Sequence, residues 1–286
     1  MSHKVIAIQF GDIDRGAGEI LIRSGTGPVV VVLHGFPQEC AVAPPLVIAY
    51  TSAAANREEP TIDSRRRLMI TITAYTWVPD FAKGLVRDLR VRWALEEARL
   101  PYQVKLITHE EKLTPSYRAL QPFSQVPSYR DDDLELFESG AIVLHVARAS
   151  AALIPTDEAG RARATAWVFA ALNSIEPFIM GLVAVDIFSR EAPWAQESRP
   201  HWEGMVKKRL SDLAERLSGC DWLEGRFTAG DLMMATVLRI LRHTDLVTSD
   251  PTLAPYLARC EARPAFQKAL ADQMASFIEA DARPSA

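Results

Sequence analysis

Cysteine is scarce: Cys40, Cys220 and Cys260 stand far apart in 286 residues, odd in number and with no CxxC pair. That usage excludes a disulfide framework and a thiolate zinc site, and it fits a reducing compartment. His3, His34, His109, His145, His201 and His243 form no spaced pair that would hold a metal. The apolar stretch 41–55 is broken by Pro44-Pro45 and falls short of the roughly 20 residues a membrane helix needs. Lys4, Asp12 and Asp14 surround too short an apolar run for a signal peptide, so the expected location is cytoplasmic. An excess of one charge sign is also missing. With a net charge of -4, interspersed signs and only the short run Arg65-Arg66-Arg67, the chain offers nucleic acid no field to bind. No G-x-S-x-G occurs anywhere, which removes the nucleophile elbow of a serine hydrolase.

What is present is enough for a sizeable core: 48% of residues are hydrophobic, over a length that suits two domains. The densest pattern runs from Gln121 to His145. Val126 precedes Pro127, so its backbone is pushed extended, and a cis bond there would turn the Val126 N–H and C=O outward. Ser128–Arg130 and Leu134–Phe137 read as two strands joined by the turn Asp131-Asp132-Asp133, which fits a solvated turn better than a cation site. Ser139 then opens a helix whose apolar face is Ile142, Val143, Val146 and Ala147. A helix start offers free N–H groups and positive potential to a carboxylate, Glu138 can face an ammonium, and Val126 can pair with a peptide backbone. The combination suits a small, extended, zwitterionic peptide.

Upstream, Met69–Tyr75 alternates as a strand, Arg87–Glu97 is amphipathic with Leu89, Trp93 and Ala94 on one side, and Pro101–Ile107 is a second strand. With the hairpin and the helix at 139 this gives βαβ followed by ββα. Here the sequence resembles the glutathione transferases, whose glutathione site uses a Val-Pro step before a strand and a Glu-Ser pair at a helix start. The resemblance implies a thioredoxin-like N-terminal domain followed by an all-α C-terminal domain, glutathione as co-substrate without a metal, and a homodimer. It places glutathione on Gln125, Val126, Pro127, Glu138 and Ser139. The family carries its activating Tyr, Ser or Cys between the first strand and first helix. That loop, Thr76 to Val86, holds no Ser or Cys, so Tyr75 and Thr76 are the hydroxyl candidates, with the N–H groups around Gly84 to Val86 as the alternative. Tyr75 could equally be a core aromatic at a strand end. Trp77, Val78, Pro79 and Phe81 are expected to wall the pocket for the second substrate.

Beyond residue 155 the expectation is helical: one run through Trp167, Phe169 and Leu172 to Met180, another from about Trp202 to Leu217. Trp222–Leu232 resembles the family's core-helix entry, with Thr228 as cap and Asp231 returning the bond, a structural pair. Tyr256–Leu270 resembles its closing helices, and 281–286 reads as a tail. His145 fits a packed or interfacial residue better than a base.

Residues 1–68 have another character. Gly18–Arg23 and Pro28–Leu33 read as strands, followed by His34-Gly35-Phe36-Pro37-Gln38, and this resembles the opening of an α/β-hydrolase. An oxyanion turn without a nucleophile does not hydrolyse esters. The composition of 41–67 reads as linker. The expected domains are therefore an extension at 1–68 joined to a transferase that begins at Met69, a glutathione-binding domain at 69–150 and a helical domain at 151–286. The leading function is transfer of glutathione thiolate to a small electrophile. The alternative is a member of the same fold that binds glutathione or a protein without catalysis.

Overall fold

The computed structural model describes residues 69–281 and, before them, the backbone of four strands. The chain divides into two compact units, Met1–Arg66 and Arg67–Ala286. In the first, β1 (Lys4–Ile8), β2 (Ile20–Ser24), β3 (Val29–Leu33) and β4 (Ala49–Tyr50) pair antiparallel in sequence order. Two of these are the strands expected from the sequence; the turn at His34-Gly35 lies outside the described residues.

The second unit opens with β5 (Ile70–Tyr75), α1 (Asp88–Ala98) and β6 (Tyr102–Ile107), a parallel crossover in which Ile72 lies opposite Val104. A short α2 (Pro115–Leu120), not anticipated from the sequence, leads to β7 (Ser128–Arg130), β8 (Glu135–Phe137) and α3 (Ser139–Ala147). Pro115 takes a first-turn position and Thr114 caps it by accepting from the Tyr117 N–H, but six residues are too few to show a period. The sheet order is β6-β5-β7-β8, with β7 antiparallel to β5. This is the expected thioredoxin-like half.

Helix α1 is buried on more sides than an amphipathic reading allows. It packs against α3 on one flank and, on others, against two helices of the second half, α7 (Ala229–Leu238) and α9 (Pro264–Asp281). Leu89, Trp93 and Leu95 are buried, each worth roughly 1.5–3 kcal/mol. Its polar residues are buried too: Asp88 accepts from Arg92 Nε at 2.8 Å and from Gln273 Nε2 at 2.7 Å, so α9 satisfies what the sequence alone would assign to solvent.

The helical half begins with α4 (Glu158–Phe169) and α5 (Glu176–Val183), joined and followed by wider π turns at Ala170–Ile175 and Ala184–Phe188. Pro177 lacks the N–H that a regular ladder uses, and the first wide turn falls just before it. By length and composition the span Glu158–Phe188 could cross a bilayer, but Val168, Ala171, Ile175, Ile179 and Leu182 are buried in the core. Helix α6 (Pro193–Leu217) starts well before the Trp202 expected from the sequence, with Pro193 in its first turn and Pro200 inside it. Then follow α7 (Ala229–Leu238), α8 (Leu253–Glu261) and α9 (Pro264–Asp281). Thr228 and Asp231 form the expected capping box at the head of α7, the Thr228 N–H donating to Asp231 Oδ2 at 2.9 Å.

Candidate functional site

The Gln125–Ser128 step is fastened to β5 by a small hydroxyl network. Tyr117 Oη donates to the Gln125 carbonyl at 2.6 Å and lies 2.9 Å from Thr73 Oγ1, which in turn accepts the Ser128 N–H at 2.8 Å. The Val126-Pro127 bond is cis. The Val126 side chain packs inward beside Ile107 and Tyr117, and among the described residues no hydrogen bond engages its backbone N–H or C=O. Ser124 just before it takes a left-handed φ of 55°, and its buried hydroxyl has no hydrogen-bond partner among the described residues.

Val126 faces a cavity of about 460 Å³ between the sheet half and the helical half. One wall is apolar, built from Phe81, Leu85, Met180, Val183, Ile187 and Phe188; the other carries Tyr75, Arg87, Arg90, Lys112, Ser124, Gln125 and Glu176. A second lobe of about 570 Å³ holds Glu138 and Ser139 and shares Arg87, Arg90, Gln125 and Glu176 with the first. Glu138 has φ of 68° and stays exposed without capping α3 through its side chain, which leaves the first-turn N–H groups open to an anion. Ser139, 5% exposed, accepts from Arg90 Nη1 at 3.3 Å.

Between the lobes stands a charged cluster that sequence reading missed. Glu176 Oε1 accepts from Arg87 Nε at 3.2 Å and Nη2 at 2.7 Å, while its Oε2 accepts from Arg90 Nη2 at 3.0 Å. Burial pushes the Arg90 guanidinium down from its usual range, and Glu176 opposes that push.

Tyr75 is half-buried in the first lobe, stacked on His109 with centroids 4.6 Å apart and with Lys112 Nζ 5.4 Å from its ring centre. Burial, then the nearby Tyr117, raises its pKa above the ordinary phenol value, so at neutral pH it is a donor. Thr76 and Trp77 lie outside the lining: the Thr76 N–H bonds to the Ile107 carbonyl, and Trp77 is half exposed, edge-on to His109. Phe81 does line the cavity, 5.7 Å from Phe188 in an edge contact across its mouth. The loop carrying Phe81 is gripped from the helical half. Arg242 Nη2 donates to the Phe81 carbonyl at 2.9 Å and the Lys83 carbonyl at 2.8 Å, and Arg239, itself paired with Glu261, donates to the Gly84 carbonyl at 3.3 Å. Among the described residues no group of acidic, His and Cys side chains could hold a metal.

A thioredoxin-like sheet joined to a helical half, with a charged cluster between two lobes of which one is walled by apolar side chains, has the architecture of a two-domain transferase. Comparison with known proteins bears this out. The sequence model of the glutathione S-transferase N-terminal domain matches residues 80–148. Glutathione S-transferase 4 of Zea mays is 30% identical over 194 residues, 63% of this chain and 85% of the relative. A glutathione S-transferase of Hyoscyamus muticus is 29% identical over 64% of this chain and 92% of its own. A Burkholderia graminis glutathione transferase, whose crystal structure holds two glutathione molecules per subunit, superposes with a TM-score of 0.63 at 28% identity, covering 71% of this chain and 87% of that one. The chain belongs to the glutathione S-transferase family.

Proposed function

We propose that this protein is a glutathione transferase that binds glutathione across the two lobes and delivers its thiolate to a small electrophile. The observation that carries the reading is the joint placement of Val126 and of the Glu138-Ser139 helix start around one divided cavity. In this reading Gln125, Val126 and Pro127 hold the peptide backbone. Ser139 and the head of α3 take the γ-glutamyl carboxylate, Glu138 faces the ammonium, and Lys112 meets the glycyl carboxylate. Tyr75, in preference to Thr76, offers its hydroxyl toward the sulfur. Phe81 forms part of the electrophile's apolar wall, and Trp77 braces Tyr75 through His109.

The domain division at 1–68, 69–150 and 151–286 belongs to the same proposal, with the hydrolase-like opening taking no part in transfer. A cytoplasmic detoxifying homodimer completes it. Support for a second copy comes from the exposed Phe123, Phe137 and Phe169, the first two in edge contact at 6.2 Å. The test is turnover of several electrophiles and a peroxide by the purified chain, with calorimetry of glutathione binding alongside. Glutathione-dependent turnover is expected. Binding without any turnover would favour the non-catalytic alternative, and turnover independent of glutathione would sink the reading.

A further inference from the structure

We propose that the short turn Arg239–His243, which follows α7, is a yoke that fixes how wide the apolar lobe opens, with Arg242 and His243 as positioning residues that set the size of electrophile accepted. This rests on the glutathione reading above and assigns what selects the second substrate within it. Two exposed rings, Phe81 and Phe188, meet edge to face at 5.7 Å across the mouth of the lobe. Neither is buried enough for packing to hold it, so the backbone behind each ring decides where it stands.

Both sides of the mouth are tied to that one turn. On the Phe81 side, Arg242 donates to the Phe81 and Lys83 carbonyls and Arg239 to the Gly84 carbonyl. Among the described residues the Arg242 guanidinium meets no carboxylate. Burial, and then the charge of Arg239, push it down from its ordinary value, so the carbonyl dipoles of the loop are its compensation. Releasing the loop would strip a partly buried cation of those acceptors, which makes the loop a fastened jaw. Gly84, with φ of 75°, lets the chain lie this close: a Cβ there would stand 3.2 Å from Leu270 Cδ1 and 3.5 Å from Arg242 Nη1. On the Phe188 side, the wide turn Ala184–Phe188 is held through Asp186, whose Oδ2 lies 3.3 Å from His243 Nε2. The ring of His243 is oriented from within its own turn, Nδ1 lying 3.1 Å from the Ile240 carbonyl. Arg199 of α6 adds a second hold, its Nε donating to Asp186 Oδ1 at 2.6 Å. Ile240 itself lines the cavity. Adjacent residues of one turn thus grip opposite sides of the opening, and the spacing of the two rings is set by the turn. A mouth of fixed width discriminates by size, admitting a single flat ring and refusing a wider one.

The test is calorimetry on the full chain with reduced glutathione and its S-methyl, S-benzyl and S-naphthylmethyl conjugates, whose thioether groups reach progressively into the apolar lobe. The unmodified protein is expected to bind the benzyl conjugate more tightly than the naphthylmethyl one. Arg242→Met removes the donors and keeps an apolar stem; Phe188→Ala removes one exposed ring. Each should move the preference about tenfold toward the larger group. Arg242→Lys should restore part of the original preference, because a charge and a donor return. His243→Phe should shift it less than Arg242→Met, because Arg199 still holds Asp186. Affinity for reduced glutathione and for the methyl conjugate should stay unchanged throughout. In turnover, the KM of Arg242→Met for chlorodinitronaphthalene should fall relative to that for chlorodinitrobenzene, with the KM for glutathione steady. An unchanged benzyl-to-naphthylmethyl ratio in Arg242→Met, or in both Arg242→Lys and His243→Phe where Arg242→Met does not fold, overturns the assignment and leaves the glutathione reading intact. So does a parallel loss of affinity for every ligand, glutathione included. Failure of the unmodified protein to bind glutathione or any conjugate overturns both.

Discussion

Ser139 is where a single oxygen should matter most. If its hydroxyl donates to the glutathione carboxylate, Ser139→Ala removes a charge-assisted bond worth about 1.5–3 kcal/mol, and Glu138→Gln weakens binding in the same direction. Calorimetry on the two folded variants checks this; unchanged affinity in both would remove the assignment. The placement of Val126, Glu138 and Ser139 on the cavity was legible from their immediate neighbours, a proline after the valine and a strand end followed by a helix start, although Glu138 and not Ser139 takes the cap position and makes no side-chain cap bond. Arg87, Arg90 and Glu176 were not. Glu176 lies 86 residues from the Arg90 it bonds, and an arginine on a helix with an apolar stripe reads as solvent-facing until the other half of the molecule covers it. Thr76 and Trp77 show the converse limit, since adjacency to Tyr75 in sequence says nothing about which side of the strand end meets the cavity.

Single elements were legible where the apolar period is clear, as at β5, α1 and α3, or where a capping box marks the start, as at α7. They were obscured where proline marks a start, as at α2 and α6, or where an element is too short to repeat. The turn between β7 and β8 is better organised than a run of solvated acids. Asp131 accepts from Tyr129 Oη at 2.7 Å and from the Asp133 and Leu134 N–H groups at 3.0 and 2.9 Å. Burial works against its ionised form, but these bonds together hold its carboxyl below the usual range. A folded pKa below the unfolded one gives stability that is present above the unfolded value and lost as pH falls through the folded one. Thermal melts from about pH 6 down to about pH 2 should therefore fall more steeply for the unmodified protein than for Asp131→Asn, the two converging in acid. Parallel curves would show that the charge is idle. At α7, Asp231 also accepts the Leu223 N–H and Tyr256 Oη, each at 3.0 Å. Thr228→Ala should cost about 1–2 kcal/mol in denaturant titrations. Asp231→Ala should cost more, about 2–5 kcal/mol, because several buried donors lose their acceptor. Neither should change the glutathione affinity of the folded protein, and a change would contradict the purely structural role.

At the scale of the whole molecule, the described core runs from Ile70 to Phe277 and unites both halves of the second unit. A chain beginning at Met69 is accordingly expected to fold, to melt within a few degrees of the full chain and to bind glutathione equally well. A large loss of melting temperature or of solubility would show that the extension is part of the folded transferase and that the proposed boundary at 68 is misplaced.

The grip of Arg239 and Arg242 on the carbonyls of Phe81, Lys83 and Gly84 bears on inheritance. Because those contacts are made to backbone, they do not depend on which side chains the loop displays. The loop's share of the apolar wall can therefore change residue by residue while its anchorage stays constant. The two halves cannot be traded as freely. A hybrid that joins this sheet half to a helical half without the two arginines would keep Val126, Glu138 and Ser139 but lose the fixed frame for the loop before α1. Variation within a lineage of such proteins is thus easier by substitution in the loop than by exchange of halves.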